Sequence, residues 1–365
     1  MGRVFIDGFE CGHVRCWDGR SHADRVYVVH KNDIGDYVGC GAPIRGDFAV
    51  VLRSNCYLSL NVSKYLVSPT NELYFKFRYA YDTFQYGDTD KFMFSIWNTS
   101  GYLNLYLRFR TSTKTIEIVR GSDVAVSPLG TELALGSTVL SPHTWYLIEF
   151  YAKIADAGAY ELRINGVTDV SGSADTMQQT IGNIGSVRLH NASVFTVTGS
   201  NDVLYDDFAI DDSEWCSDSR IIAMVPNAEG DESDWDWVNK GSDTESWEAV
   251  DERPTDNVDY WHTNTVGNLH SVHLEPAPSD PMTLINAVQV CLDSRKSGVP
   301  NVQNLEHMLR DNGWGTPNQL CGVDSQLSAD ANKTLCYCWA QNPGLSIDWL
   351  KSHLADLQIG VKAKA

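Results

Sequence analysis

Residues 102–110 read YLNLYLRFR, and this stretch decides the fold class of the chain. Leucine or phenylalanine occupies every odd position from 103 to 109, while tyrosine, asparagine and arginine occupy the even positions. Successive side chains of a β-strand point to opposite faces, so this period of two predicts a strand with one buried and one wet face. The stretch therefore predicts an antiparallel sheet.

The same alternation recurs through the first two-thirds of the chain. It places apolar residues at even positions in 56–62 and aromatic residues at odd positions in 75–81. Further strands are predicted at 24–30, 47–53, 91–98, 115–120, 145–154, 159–165, 186–190 and 203–210. Because clusters of Gly, Asn, Asp and Ser separate these strands without a helical period between them, the sequence predicts a mainly β protein built around an antiparallel sandwich or jelly roll.

The composition changes after residue 212. A connecting region, 213–282, is acidic and rich in tryptophan, and a proline cluster ends it. The third region, 283–365, is predicted to be a small β domain with a helix at 346–357, in which Ser346 is the N-cap. The helix places four apolar residues on one face, namely Ile347, Leu350, Leu354 and Leu357. For 302–310 the pattern fits either a helix or a strand.

Composition and charge limit the function classes. The 365 residues carry a formal net charge of −19, which repels phosphate backbones and argues against nucleic acid as a partner. No signal peptide or membrane-spanning stretch is apparent, so we expect a soluble protein made in the cytosol. The nine cysteines, at irregular spacings, predict buried free thiols in place of a disulfide framework.

Several short segments, in order, resemble a group of tailed-bacteriophage virion proteins that carry a concanavalin-A/laminin-G-like domain. The opening segment is RVFIDGFE at 3–10, and a strand beginning at Trp145 precedes a strand ending in Asn165-Gly166. The later landmarks are YDDFAIDD at 205–212, VDERP at 250–254, Asp259-Tyr260 and the closing segment at 359–362.

This resemblance implies a structural component of a phage particle, located on the tail as a fibre or adsorption protein or on the capsid as decoration. It implies other virion proteins as partners and a homo-oligomer, with trimers common among such appendages. A host-surface polysaccharide is the small partner that the fold suggests by analogy. The resemblance brings no catalytic residues with it.

The connecting region offers a candidate ligand site. Between 229 and 256 the chain carries eleven acidic residues and three tryptophans. Aromatic faces beside carboxylates bind sugars in many lectin-like sites, and the candidate ligand-binding residues are Trp235, Trp237, Trp247, Asp234 and Asp236. The alternative is that the tryptophans pack between the two β units while the acids stay solvated.

A second candidate site is a cluster of acids around the strand predicted at 203–210. Asp206, Asp207, Asp211 and Asp212 supply the hard oxygen ligands that calcium prefers, so they are candidate metal residues. Alternation sends Asp206 and Asp207 to opposite faces, and strand-end acids are more often solvated. No cofactor is predicted, and calcium is left as an alternative.

No motif supports an enzyme. The chain lacks nucleophile-elbow, zinc-protease, phosphate-loop and dinucleotide signatures, and His190, His270 and His273 are interpreted as ordinary strand or loop residues. We therefore predict a non-enzymatic structural protein of a phage particle that mediates assembly. The alternative is a bacterial carbohydrate-binding or glycan-hydrolysing protein with a lectin-like domain.

Overall fold

The structure of the protein is a computed structural model. It describes residues 2–34, 46–53, 55–83, 89–122, 130–180, 182–193, 202–238, 243–252, 258–277, 285–296, 301–310, 325–327, 333–343 and 345–365. The chain divides into two compact units, Met1–Ile222 and Ala223–Ala365. In the described part, no helix is long and apolar enough to span a membrane.

The first unit is built from fifteen described strands. In chain order they are β1 (Arg3–Asp7), β2 (Gly19–Ser21), β3 (Val26–His30), β4 (Phe48–Leu52), β5 (Cys56–Asn61), β6 (Glu72–Tyr81), β7 (Lys91–Asn98), β8 (Leu103–Arg110), β9 (Thr115–Arg120), β10 (Thr131–Leu135), β11 (Tyr146–Lys153), β12 (Gly158–Ile164), β13 (Val167–Ala174), β14 (Ile184–Ser193) and β15 (Val203–Asp211). Short 3-10 helices span Ala23–Arg25 and Val62–Lys64.

These strands form two antiparallel sheets. The first sheet has the order β13-β12-β11-β6-β15-β4-β3, with β1 also paired to β15, and the second has the order β10-β9-β8-β7-β14-β5-β2. Neighbouring strands often lie far apart in sequence, as with β6 and β15, so long connections build the sandwich. The prediction of a mainly β antiparallel sandwich is confirmed.

Aromatic side chains fill the space between the two sheets. Phe75 and Phe77 of β6 lie 4.9 and 5.5 Å, ring centre to ring centre, from Phe94 of β7. All three side chains are fully buried. Aromatic residues bury large areas and dominate the energy of such cores. The alternation seen in the sequence therefore decides which side chains face this core and which point away from it.

The second unit contains nine described strands in three small antiparallel sheets. They are β16 (Pro226–Ser233), β17 (Asp236–Val238), β18 (Tyr260–His262), β19 (Leu269–Leu274), β20 (Val288–Ser294), β21 (Asn304–Arg310), β22 (Ser325–Gln326), β23 (Lys333–Trp339) and β24 (Gln358–Lys364). The sheets have the orders β16-β19-β24-β21-β22, β17-β18 and β20-β23. The ambiguous segment 302–310 thus forms a strand.

The domain limits of the structure differ from those predicted. The boundary along the chain falls between Ile222 and Ala223, and the predicted limit at 282 lies outside the described residues. Strands β16 and β19 belong to the predicted connecting region, yet they pair in one sheet with β24 at the end of the chain. Two strands of the 213–282 region are therefore part of the second unit's largest sheet.

The predicted helix at 346–357 is not formed. The segment contains only a 3-10 helix, Lys351–Leu354, and Ser346 has a left-handed backbone with φ of 55°. The reason is Trp349, which is fully buried and donates its indole hydrogen to the carbonyl oxygen of Trp339 at 3.0 Å. Burying this tryptophan leaves Ile347 exposed, so tertiary packing overrides the helical pattern.

Candidate functional site

A polar and aromatic cluster lies on the outer face of the second sheet. Val187 and Leu189 of β14 are fully buried in the core, so alternation turns Arg188 and His190 to the opposite face. The neighbouring strands supply the other members through their register. We call the following residues the Arg188 cluster: Tyr57, Ser95, Trp97, Tyr106, Arg188 and His190.

Arg188 lies between two aromatic rings. Its guanidinium carbon is 4.0 Å from the ring centre of Trp97 and 4.7 Å from that of Tyr57. Both distances are within the range of cation–π attraction. Burial lowers the pKa of Arg188, and its Nε atom is buried without a hydrogen-bond partner. The rings position the cation but leave its hydrogen-bonding capacity partly unused.

Ser95 connects Trp97 to His190. The Trp97 indole donates to the Ser95 hydroxyl oxygen at 2.8 Å, and that oxygen lies 2.7 Å from His190 Nε2. The serine oxygen has two acceptor lone pairs, so it accepts from Trp97 and either donates to His190 Nε2 or accepts from it, according to the tautomer of His190. The other ring nitrogen of His190, Nδ1, is buried and has no hydrogen-bond partner.

His190 is held neutral. Only 7% of its surface is exposed, and burial, together with the charge of Arg188, lowers its pKa to about 3. Aromatic rings surround it, with Tyr57 and Phe92 each 5.7 Å away between ring centres. The imidazole therefore stays neutral near pH 7, where it can take part in hydrogen bonds but does not take up a proton.

Tyr106 extends the cluster onto β8. It is the registered partner of Ser95, its ring centre lies 4.6 Å from that of Phe92, and 1% of its surface is exposed. Burial raises the pKa of its hydroxyl, so the phenol stays protonated. The outer face of the second sheet therefore carries packed aromatic rings next to a cation and a neutral imidazole.

Arg188 differs from the other buried arginines of the first unit. Arg108 holds Glu117 with two hydrogen bonds of 2.7 and 2.8 Å, and Arg78 lies 3.3 Å from Asp207. No carboxylate among the described residues lies within ion-pair distance of Arg188. Arg188 is thus a half-buried arginine that has no ion pair with a described carboxylate, although the chain carries a net charge of −19.

Of the candidate calcium residues, Asp207 and Asp211 pair with arginines. Asp211 lies 3.7 Å from Arg3 Nε and also accepts from the Ser213 amide at 2.9 Å. Asp207, next to a bulge in β15, pairs with Arg78 and accepts from the Ile221 amide. Both carboxylates therefore form ion pairs and hydrogen bonds with other residues of the chain.

The other two acids of this group lie in different surroundings. Asp206 is 1% exposed, and burial next to Asp207 raises its pKa well above the ordinary value. Asp212 is half-buried, with a pKa raised by burial. Within the described ranges, no group of three or more His, Cys, Asp or Glu side chains is arranged to hold a metal ion.

The candidate ligand residues of the acidic segment lie in the second unit. Trp235 is half-buried, packs on a cluster that includes Val361, and donates its indole hydrogen to the carbonyl oxygen of Asn268 at 3.2 Å. Asp234 is exposed and accepts from the Leu269 amide at 3.2 Å. Trp235 therefore takes part in packing.

The remaining three candidates lie in the β17–β18 sheet or in the 3-10 helix that follows β17 in the chain. Trp237 stands opposite Trp261 in the β17–β18 pair, and Asp236 beside it is exposed. The backbone amide of Trp247 donates to Glu229 Oε1 at 3.1 Å, within the 3-10 helix Ser246–Val250. Trp237 and Trp247 are both half-buried.

Sequence reasoning missed the Arg188 cluster although a signal was present. In SVRLH at 186–190, Arg188 and His190 alternate with Val187 and Leu189, which places both polar residues on one outer face. The cluster also needs Tyr57 and Trp97, which are distant in sequence and meet Arg188 only through strand register. Only a knowledge of strand order could have joined them.

Comparison with known proteins finds the fold and little else. No protein-family model matches the chain, and no curated protein matches it. A glucuronan lyase from the fungus Trichoderma reesei is similar at 12% identity, over 57% of this chain and 94% of that one, with a TM-score of 0.41.

Two further solved structures are similar over shorter stretches. One is an alginate lyase, at 10% identity over 44% of this chain and 80% of that one, with a TM-score of 0.35. The other is a carbohydrate esterase from a Shiga toxin-encoding bacteriophage, at 13% identity over 54% of this chain and 90% of that one, with a TM-score of 0.35. At these identities the likeness concerns the β-sandwich fold alone.

The comparison corrects the functional prediction. The sequence predicts a non-enzymatic structural component of a phage particle, but the similar structures are a glucuronan lyase, an alginate lyase and a carbohydrate esterase. The predictions of a non-enzymatic structural role and of a protein that is not an enzyme are therefore corrected. The resemblance to virion proteins is supported only in its β-sandwich part.

Proposed function

We propose that this protein binds a carboxylated polysaccharide on the Arg188 cluster. The observation that carries the proposal is Arg188 itself, a half-buried cation stacked between Trp97 and Tyr57 with no described carboxylate to neutralise it. Buried charges in proteins are normally paired. A carboxylate of a sugar acid would complete this pair.

The rest of the cluster suits a sugar ring. Tyr57 and Trp97 are half-buried, so part of each ring faces outward from the sheet. Aromatic faces stack on the apolar faces of sugars, and a few fixed polar groups set the orientation.

The charge of the whole chain makes the site selective. A net charge of −19 repels a polyanion at long range, and this repulsion is screened within about 8 Å at physiological salt. Binding therefore depends on the local cation. We expect uronic-acid polymers to bind and neutral glucans to bind weakly or not at all.

The test is affinity electrophoresis and calorimetry with polyglucuronate, polymannuronate, polygalacturonate and a neutral glucan. The variant Arg188→Met keeps side-chain length and apolar packing but removes the charge. Loss of a charge-assisted hydrogen bond should weaken binding roughly 10- to 100-fold. Arg188→Lys should recover part of the affinity, because lysine supplies charge without the planar fork.

The matched control is Arg163→Met. Arg163 also stacks on a tryptophan, at 3.8 Å from the ring of Trp215, but it lies on the outer face of the first sheet and pairs with Glu161. We expect this variant to bind as the wild type does. Equal losses in both variants, or equal binding of charged and neutral polymers, would refute the proposal.

A second candidate is cleavage of the bound polymer by β-elimination, and the position of Arg188 favours it. Abstraction of the proton beside a uronate carboxylate needs that carboxylate to be neutralised and a base to take the proton. Arg188 suits the first role. The base would be His190, 2.7 Å from the Ser95 hydroxyl, and its lowered pKa makes it a weak base unless a bound carboxylate offsets the charge of Arg188. The C–O bond then breaks, a C=C bond forms, the leaving oxygen takes up a proton from water, and the base releases its proton to the solvent.

Incubation with each polyuronate, followed by ultraviolet absorbance of unsaturated ends, measures this reaction. We expect His190→Gln to abolish the absorbance increase while binding changes less than twofold. Increased reducing ends without ultraviolet absorbance would indicate hydrolysis and exclude elimination. If intact wild-type protein binds polymers but leaves their length unchanged, binding is the function and the elimination candidate fails.

A further inference from the structure

Three cysteines lie on one small sheet of the second unit. Cys291 is on β20, while Cys336 and Cys338 are on β23, and the two strands pair over their full lengths. All three are half-buried. Several other described cysteines are buried in the first unit, as is Cys216 with 1% exposure. The cysteines of this sheet are therefore the more accessible to small reagents.

The register places two of the three directly opposite each other. Cys291 and Cys336 are registered partners in the antiparallel pair, and their Sγ atoms are 2.7 Å apart. Directly opposite residues have Cα atoms about 4.5 or 5.5 Å apart. Both values fall within the range of about 4.4–6.8 Å that a disulfide spans. No backbone movement is needed to join them.

The side chains around the pair keep it on the outer face of the sheet. Val290 and Leu335, next to the cysteines in sequence, point to the buried side and belong to core clusters. On the cysteine side, Gln289 donates to Cys291 Sγ at 3.3 Å. The sulfurs thus sit among half-buried polar groups instead of inside the core.

We propose that Cys291 and Cys336 are an oxidation site that forms a cross-strand disulfide. The two thiols lose two hydrogens, one S–S bond forms, and a low-molecular-weight disulfide is the oxidant, taking up the two electrons and two protons as it becomes two thiols. The reaction proceeds through a mixed disulfide, with one cysteine attacking the oxidant and the other displacing it.

Cys338 provides a matched control. It is on the same strand and the same face as Cys336, but its registered partner is Gln289. A serine at 338 should leave the disulfide intact, whereas a serine at 291 or 336 removes it. The three variants change the same atoms on the same small sheet.

The experiment treats the full chain with oxidised glutathione or with dithiothreitol, then blocks free thiols and maps peptides by mass spectrometry. We expect a crosslink between positions 291 and 336 in the wild type and in Cys338→Ser, and none in Cys336→Ser. Closing the loop between the two residues should raise the melting temperature of the oxidised form by roughly 5–10 °C. Cys291→Ser and Cys336→Ser should show no such rise.

Two results would overturn the proposal. One is a wild-type protein whose positions 291 and 336 stay reduced, or carry only glutathione, after oxidation while circular dichroism shows it folded. The other is a crosslink that joins Cys291 equally to Cys336 and to a cysteine elsewhere in the chain, since random pairing would mean that strand register does not direct the reaction.

Discussion

The two sheets of the first unit carry similar residues on their outer faces but use them differently. Each outer face has an arginine stacked on a tryptophan, Arg163 on Trp215 in the first sheet and Arg188 on Trp97 in the second. Each also has a buried titratable group, Asp206 in the first and His190 in the second. The difference lies in what neutralises the charges.

The first sheet is covered by the protein's own chain. Residues 213–222 follow β15, and Asp218 of this segment pairs with Arg78 at 2.5 Å. Ser219 accepts from the buried Lys76, and Trp215 covers Arg163. Arg78, Lys76 and Arg163 on this face therefore each have a partner supplied by the chain itself.

The second sheet has no such covering partner for Arg188 among the described residues. The comparison teaches that an arginine on a sheet face is structural when the chain supplies its anion. Such an arginine is a candidate binding site for an anion when the chain supplies only aromatic rings around it. Variants on the first face should therefore lose stability, whereas variants on the second face should lose affinity for the ligand.

The largest expected effect is on the first sheet. Arg78 is 6% exposed and lies 3.3 Å from Asp207, whose side chain is 1% exposed. Arg78→Met leaves that carboxylate buried without its arginine, so we expect the free energy of unfolding to fall by about 3–5 kcal/mol. Urea denaturation measures the loss. A loss below about 1 kcal/mol would mean that the pair is effectively solvated and that the first face is not closed.

The next effect is a pH dependence of stability from His190. Its folded pKa of about 3 is below the ordinary value of 6.5, so the unfolded chain binds more protons between these values. The free energy of unfolding therefore falls as pH drops through this window, by about 3 kcal/mol between pH 7 and pH 4 from this group. Chemical denaturation at a series of pH values measures the slope.

His190→Gln isolates that contribution, because glutamine does not titrate. The difference between the wild-type and variant profiles should grow with pH from 4 to 7, in favour of the wild type. Asp206 has the opposite effect on the pH dependence of stability. Because its pKa is raised, the free energy of unfolding falls as the pH rises above the ordinary carboxyl pKa. A His190→Gln profile parallel to the wild type would contradict the buried, neutral imidazole.

A smaller effect is expected for Trp215→Ala on the first sheet. Trp215 is half-buried, with ring centres 5.4 Å from Tyr74 and 6.3 Å from Tyr151, and it covers Arg163. Losing these contacts should cost about 1–2 kcal/mol, because Arg163 keeps its ion pair with Glu161. Thermal denaturation measures the loss, and unchanged polyuronate binding is the control. Weakened binding would place the ligand on the wrong sheet.

The fold was predictable because a period of two is a local property. YLNLYLRFR at 102–110 became β8, with Leu105 and Leu107 in the core and Tyr106 on the outer face. The predicted strands at 145–154 and 159–165 became the paired β11 and β12. The helix at 346–357 failed because the burial of Trp349, a tertiary effect, outweighs a four-residue apolar stripe.

The site was not predictable because it depends on strand order. Acidic and aromatic residues close in sequence, such as Trp235 and Asp234, drew attention to the second unit. The Arg188 cluster brings Tyr57, Trp97 and Arg188 together from β5, β7 and β14, across gaps that a single sequence does not reveal. Composition finds neighbours along the chain, whereas a binding face is made of neighbours across strands.

The smallest expected change in stability belongs to Arg188→Met, and it separates the two faces most clearly. Methionine loses the attraction between the cation and two rings, about 0.5–2 kcal/mol. It also removes a desolvated charge and an unpaired Nε, a cost of about 1–3 kcal/mol. These terms oppose each other, so the free energy of unfolding should change by less than about 1 kcal/mol in urea denaturation. Arg78→Met, the same substitution on the covered face, should cost several times more. Similar losses for both arginines would mean that the chain already satisfies Arg188, and the second face would then have no vacancy for an anion.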